Sequence, residues 1–143
     1  MKLSRRISRS ILISGLVAGL GACAVMPTDE AAPSDNAAVM KLLDNAQQQT
    51  HQAQYNEAAA TLERALRIEP RNATLWQALA RVRLQQGQPE QAASLAVKSN
   101  ALAETDRIRA GNWRLIGEAA LARGDAAGAD QAFKKAAALE HSQ

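Results

Sequence analysis

Residues 113–136, WRLIGEAALARGDAAGADQAFKKA, align without a gap on residues 76–99, WQALARVRLQQGQPEQAASLAVKS, 37 positions earlier. Trp76, Leu79 and Ala80 match Trp113, Ile116 and Gly117, while Gly87 matches Gly124 and Ala92 matches Ala129. A fainter copy precedes both: Ala53, Ala58, Leu62 and Ala65 stand 34 residues before Gly87, Ala92, Ala96 and Ser99. One unit therefore occurs three times, with three extra residues between the second and third copies. Self-similarity at this period is the mark of a stacked repeat, in which no single unit buries enough surface alone.

Within the repeats the apolar spacing is helical. Val39, Leu42, Leu43 and Ala46 fall on one helix face, and no stretch alternates as a strand would. Pro70, Gly87-Gln88-Pro89 and Gly124-Asp125 punctuate the pattern. The spacing predicts helices over residues 37–52, 55–69, 72–86, 89–103, 106–123 and 126–140. Asn72 and either Thr105 or Asp106 suit N-caps, and Gly87 and Gly124 suit helix stops. The extra residues near Ala101–Glu104 are expected to lengthen the fourth helix by a turn or to loosen the loop after it. Small residues at Ala46, Ala80 and Gly117, and at Ala58, Ala92 and Ala129, let paired helices approach closely. Leu42, Trp76 and Trp113 then fill the space between hairpins.

The order Trp, Leu, Gly, then Gly, Ala, Phe, Ala resembles the tetratricopeptide repeat. The third unit fits it best, through Trp113, Ile116, Gly117, Gly124, Ala129, Phe133 and Ala136. The second unit has Ala96, Ser99 and Glu104 where Phe, Ala and Pro are usual, and the first has Leu42 for Trp and Ala46 for Gly. The usual helix A tyrosine is absent from all three. The resemblance implies an all-α, right-handed solenoid of three helical hairpins, with approximate repeats at 39–72, 73–106 and 110–143.

Composition agrees with helix: 47% of residues are apolar, mostly Ala and Leu, and only 3% are aromatic. A pI near 9.4 suggests an affinity for nucleic acid, but the charge is unevenly placed. Lys2, Arg5, Arg6 and Arg9 precede Cys23 and no acidic residue does, leaving 13 basic against 14 acidic residues from Cys23 onward. A segment with a net charge of −1 lacks the footprint that phosphate-backbone binding requires. Nucleic acid is not an expected partner.

The basic start is followed by the apolar run Ile11–Leu20, too short for a span of about 20 apolar residues. Together they read as a signal peptide over 1–22. Leu20-Gly21-Ala22-Cys23 resembles the lipobox of bacterial lipoproteins. That resemblance implies cleavage before Cys23 and covalent lipid on its thiol and amino group, a multi-chain anchor far firmer than one acyl chain. The absence of Asp after Cys23 implies, by the same resemblance, the outer membrane of a Gram-negative cell, facing the periplasm. Residues 23–36, with Pro27, Pro33 and no apolar period, read as a tether, and 37–141 as the repeat domain.

A search for chemistry returns little. His51 and His141 have no second ligand at metal-binding spacing. Glu57, Glu63, Asp125 and Asp130 read as solvated helix edges, Ser and Thr as caps or tether, and no Gly-rich loop follows a strand. Neither a catalytic set nor a cofactor beyond the Cys23 lipid is expected, so the chain reads as a non-enzyme. Trp76 and Trp113 occupy packing positions and read as core.

The first helix of each tetratricopeptide hairpin lines a concave groove that commonly takes an extended peptide or a partner helix. By that resemblance the groove residues are Leu43, Gln47 and Thr50, then Gln77, Arg81 and Leu84, then Arg114, Glu118 and Leu121. Their mixture of amide, guanidinium and aliphatic groups suits a peptide, with Arg81 and Arg114 able to grip a carboxylate. The last helix, with Ala127 and Ala138 on its open edge, has no evident cap and could self-associate. The reading is a membrane-anchored periplasmic adaptor for a protein of envelope biogenesis or secretion. A pilotin-like assembly factor for a pilus or secretin is the nearest alternative, and a small-ligand carrier or enzyme the more distant one.

Overall fold

The computed structural model describes residues 35–141. The signal peptide over 1–22, the lipobox Leu20, Gly21, Ala22 and Cys23, and most of the tether lie outside the described residues. Six helices follow in order: α1 (Ala37–His51), α2 (Tyr55–Ile68), α3 (Ala73–Gln85), α4 (Pro89–Leu102), α5 (Asp106–Ala122) and α6 (Ala126–Glu140). They pair as three antiparallel hairpins stacked into an all-α solenoid. Every boundary falls within one residue of the position predicted from the apolar spacing.

Local chemistry sets these ends. The side chains of Asn36, Asn72, Thr105 and Asp125 accept from backbone N–H groups of α1, α3, α5 and α6, satisfying donors that the first turn leaves open. Pro89 opens α4, where its missing N–H costs nothing. Gly87 and Gly124 end α3 and α5 with φ of 72° and 78°, the left-handed region. The matching position in the first hairpin is Ala53, held at φ 58° without glycine's freedom.

One expectation needs correction. The three extra residues neither lengthen α4 nor loosen the next loop, because α4 has the same 14 residues as α2 and only residues 103–105 separate it from α5. They go into α5, which begins seven residues before Trp113, whereas α3 begins three before Trp76. Thr105 caps this added turn, and Arg109 fastens it by donating to Asp106 Oδ1 at 2.7 Å and to the Ala103 carbonyl at 2.6 Å.

The hydrophobic core is unevenly distributed. Val39, Leu62, Leu66, Leu75 and Leu79 form one cluster across the first hairpin and α3. Smaller groups, Ala73 with Ala103 and Ile108, and Ala80 with Ala96 and Leu115, join the second hairpin to α5. Ala58, Ala92 and Ala129 are buried at the close approach of each helix pair. At Gly117 a Cβ would lie 2.6 Å from the Phe133 ring, so contact between α5 and α6 depends on glycine there.

Candidate interaction groove

The first helices of the three hairpins do not lie side by side evenly. α3 and α5 are in direct contact, while α1 and α3 scarcely touch. Between α1 and α3 this leaves a pocket of about 300 Å³. Leu43, Gln47 and Thr50 of α1 line it with Arg81 of α3, over an apolar floor that includes Ala46, Leu62, Ala78 and Val82. His51 and Ala78 also line it, although the repeat register did not single them out. Arg81 is exposed at the pocket and forms no ion pair among the described residues. The Thr50 hydroxyl is turned inward, donating to the Ala46 carbonyl at 2.7 Å.

The other sequence-selected positions have different surroundings. Gln77 is half-buried, and its side-chain amide donates to the Ile108 carbonyl and to Asn112 Oδ1, both at 3.0 Å. It binds α3 to α5. Leu84 packs on the Ala80, Ala96 and Leu115 cluster. Arg114 pairs with Glu140 of α6. Glu118 and Leu121 are exposed, Leu121 at 54%. The structure thus brings together Leu43, Gln47, Thr50 and Arg81, and gives Gln77, Leu84 and Arg114 contacts within the solenoid.

A polar assembly escaped the sequence reading. Asn112, fully buried, donates both amide hydrogens, to Ser99 Oγ at 2.8 Å and Asn100 Oδ1 at 3.0 Å, and accepts from Gln77. Ser99, also fully buried, donates onward to the Ala73 carbonyl at 2.8 Å. The available signal was Ser99 itself, a hydroxyl where the repeat expects alanine, set beside an adjacent asparagine. The two tryptophans are half-buried, each with a lysine ammonium over its ring, Lys98 at 3.7 Å from Trp76 and Lys135 at 4.1 Å from Trp113. Trp76 also donates its indole N–H to the Pro70 carbonyl at 2.8 Å.

Among the described residues, no group of three or more His, Cys, Asp or Glu side chains could hold a metal ion. No described helix is long and apolar enough to cross a membrane. A tetratricopeptide repeat family model matches residues 49–110. Among solved structures, the chain is similar to the globular C-terminal domain of P. aeruginosa LpoP, with 42% identity and a TM-score of 0.69. The match covers 71% of this chain and 96% of that one. The chain belongs to one family with that LpoP domain, and its residues 49–110 match the tetratricopeptide repeat. No curated protein matches the chain. Tetratricopeptide hairpins are protein-interaction modules, and in this chain a pocket lies between the first helices of the first two hairpins, α1 and α3.

Proposed function

We propose that this tetratricopeptide-repeat protein is a membrane-anchored, periplasm-facing adaptor that holds a protein partner of envelope biogenesis or secretion, without catalysis of its own. The observation that carries the binding role is the α1–α3 pocket, lined by Gln47 and by Arg81, which has no ion pair among the described residues, above an apolar floor. Such a site can hold an aliphatic side chain below and a carboxylate or carbonyl pair above. The anchor rests on Cys23 and its lipobox. The likeness to a domain described as globular and C-terminal supports the division of labour, with the folded half following an N-terminal segment.

Two measurements test the halves separately. Labelled palmitate is expected to enter the wild-type chain and not Cys23→Ser, with loss of membrane fractionation; equal labelling of both rejects the anchor. A photo-crosslinking residue at Gln47 is expected to trap one envelope protein, and Arg81→Ala should reduce that product several-fold. An undiminished crosslink would remove Arg81 and the α1–α3 pocket from the binding site.

A further inference from the structure

Ala78, Arg81 and Val82 share the face of α3 that looks into the groove, whereas Trp76, Leu79 and Arg83 share another. On that second face α2, α3 and α4 enclose a larger cavity, about 660 Å³. Its walls are apolar: Leu66, Pro70, Trp76, Leu79 and Leu95. The cavity is not a by-product of stacking repeats. At the next junction the counterparts of Leu66, Pro70 and Leu95 are Asn100, Glu104 and Ala132, and Asn100 is already bonded to Asn112.

The rim is charged in a defined order. Arg83 donates to Glu63 at 2.6 Å, so those two charges offset each other. Arg67 lines the cavity with Pro70, and Lys98, outside the lining, holds its ammonium over the ring of the lining Trp76; neither has a carboxylate partner among the described residues. The cavity therefore offers apolar walls with two cations near Trp76 and Pro70, while Glu90, in the first turn of α4, adds a carboxylate elsewhere on the rim. It is open along one side, which suits side chains projecting from a helix better than a fully enclosed small molecule.

We propose that this cavity is a second docking site, distinct from the groove, for a partner helix with a bulky apolar residue followed by a carboxylate. The apolar residue seats against Trp76, Leu79 and Leu95, and the carboxylate pairs with Arg67 and Lys98. The volume accommodates anchors from successive helical turns, at i and i+4. With a groove on one side of α3 and this site on another, a single chain can hold two partners at once.

The test uses the full chain and a short alanine-rich helical peptide carrying leucines at i and i+4 and glutamates one turn beyond. NMR signals of the two indole N–H groups report the site directly. The glutamate peptide is expected to shift Trp76 and leave Trp113 in place. Reversing both cations, Arg67→Glu with Lys98→Glu, should weaken it at least about tenfold. A lysine version of the peptide should then bind the reversed protein. Ser94→Trp, on the exposed rim, should block binding with the helical circular dichroism unchanged, and Arg81→Glu should leave binding intact. The proposal is overturned if Trp76 does not shift at millimolar peptide, or if the charge reversal changes nothing. Loss of the shift with Arg81→Glu would also overturn it, by assigning the peptide to the groove.

Discussion

Between the first and second hairpins, Val39, Leu62, Leu66, Leu75 and Leu79 meet as one apolar cluster. Between the second and third, the amide of Asn112 and the hydroxyl of Ser99 are both fully buried, and the apolar clusters are smaller, four alanines with Ile108 and Leu115. Apolar contact is non-directional, so leucines can pack while α1 stands away from α3 and while a cavity remains beside Trp76. Buried hydrogen bonds fix angle and distance together, and they hold α5 hard against α3 and α4. Both candidate binding surfaces border the apolar junction, and the polar junction acts as the rigid mount beside it. The space beside the polar junction lies at its loop end, where Pro70, Asn72, Glu104 and Thr105 border a cavity of about 420 Å³.

The largest expected effect comes from attacking the apolar side. Leu75 is fully buried and touches the cluster that joins α1, α2 and α3. Leu75→Ala should cost about 3 kcal/mol, within the usual span for a buried leucine truncation. Urea unfolding followed by helical circular dichroism would measure it. A cost smaller than that of the asparagine variant below would break the comparison, showing that the leucine cluster is not the main source of cohesion.

Asn112→Ala comes next, at about 2 kcal/mol, because it strips hydrogen-bond partners from Ser99, Asn100 and Gln77 without opening water to them. The loss should be local. Hydrogen exchange is expected to quicken in α5 and α6 more than in α1 and α2, since repeat stacks are held by nearest-neighbour terms. A double-mutant cycle with Ser99→Ala should show coupling of at least about 0.5 kcal/mol. Simple additivity would show that the two side chains are merely adjacent.

These contrasts also explain what could be read from the chain in advance. Helix positions followed from apolar spacing and from Asn72, Thr105, Gly87 and Gly124, each of which acts through its own backbone. The repeat register also placed Leu43, Gln47, Thr50 and Arg81 on one surface. It could not show that Gln77 would turn toward Asn112, 35 residues away, and toward the Ile108 carbonyl in the added turn of α5. The added turn was itself misplaced, since three residues inserted near a loop can extend either neighbouring helix. Trp76 was legible as a packing residue, but the cavity beside it arises from Leu66, Leu79 and Leu95 on three different helices. No single segment carries that information.

The smallest effect concerns the turn of the hairpin that borders the open junction. Ala53 has φ 58°, where the equivalent Gly87 and Gly124 have φ of 72° and 78°. A left-handed conformation costs an alanine about 1 kcal/mol relative to glycine. Part of the relief is offset by the greater freedom of glycine in the unfolded chain. Ala53→Gly should therefore stabilise the protein by about 0.5 kcal/mol, read as a small rise in the urea midpoint. Gly124→Ala is the matched control: a Cβ there meets nothing within 4 Å, so its cost of about 1 kcal/mol would be conformational alone. Exchange rates give the gain its structural meaning. If Ala53→Gly slows exchange in α1 and α2 only, the apolar junction transmits little and the first hairpin opens as its own unit. If α3 and α4 slow equally, the leucine cluster couples the hairpins as tightly as the amides do, and the contrast between the two junctions is one of geometry and not of cooperativity.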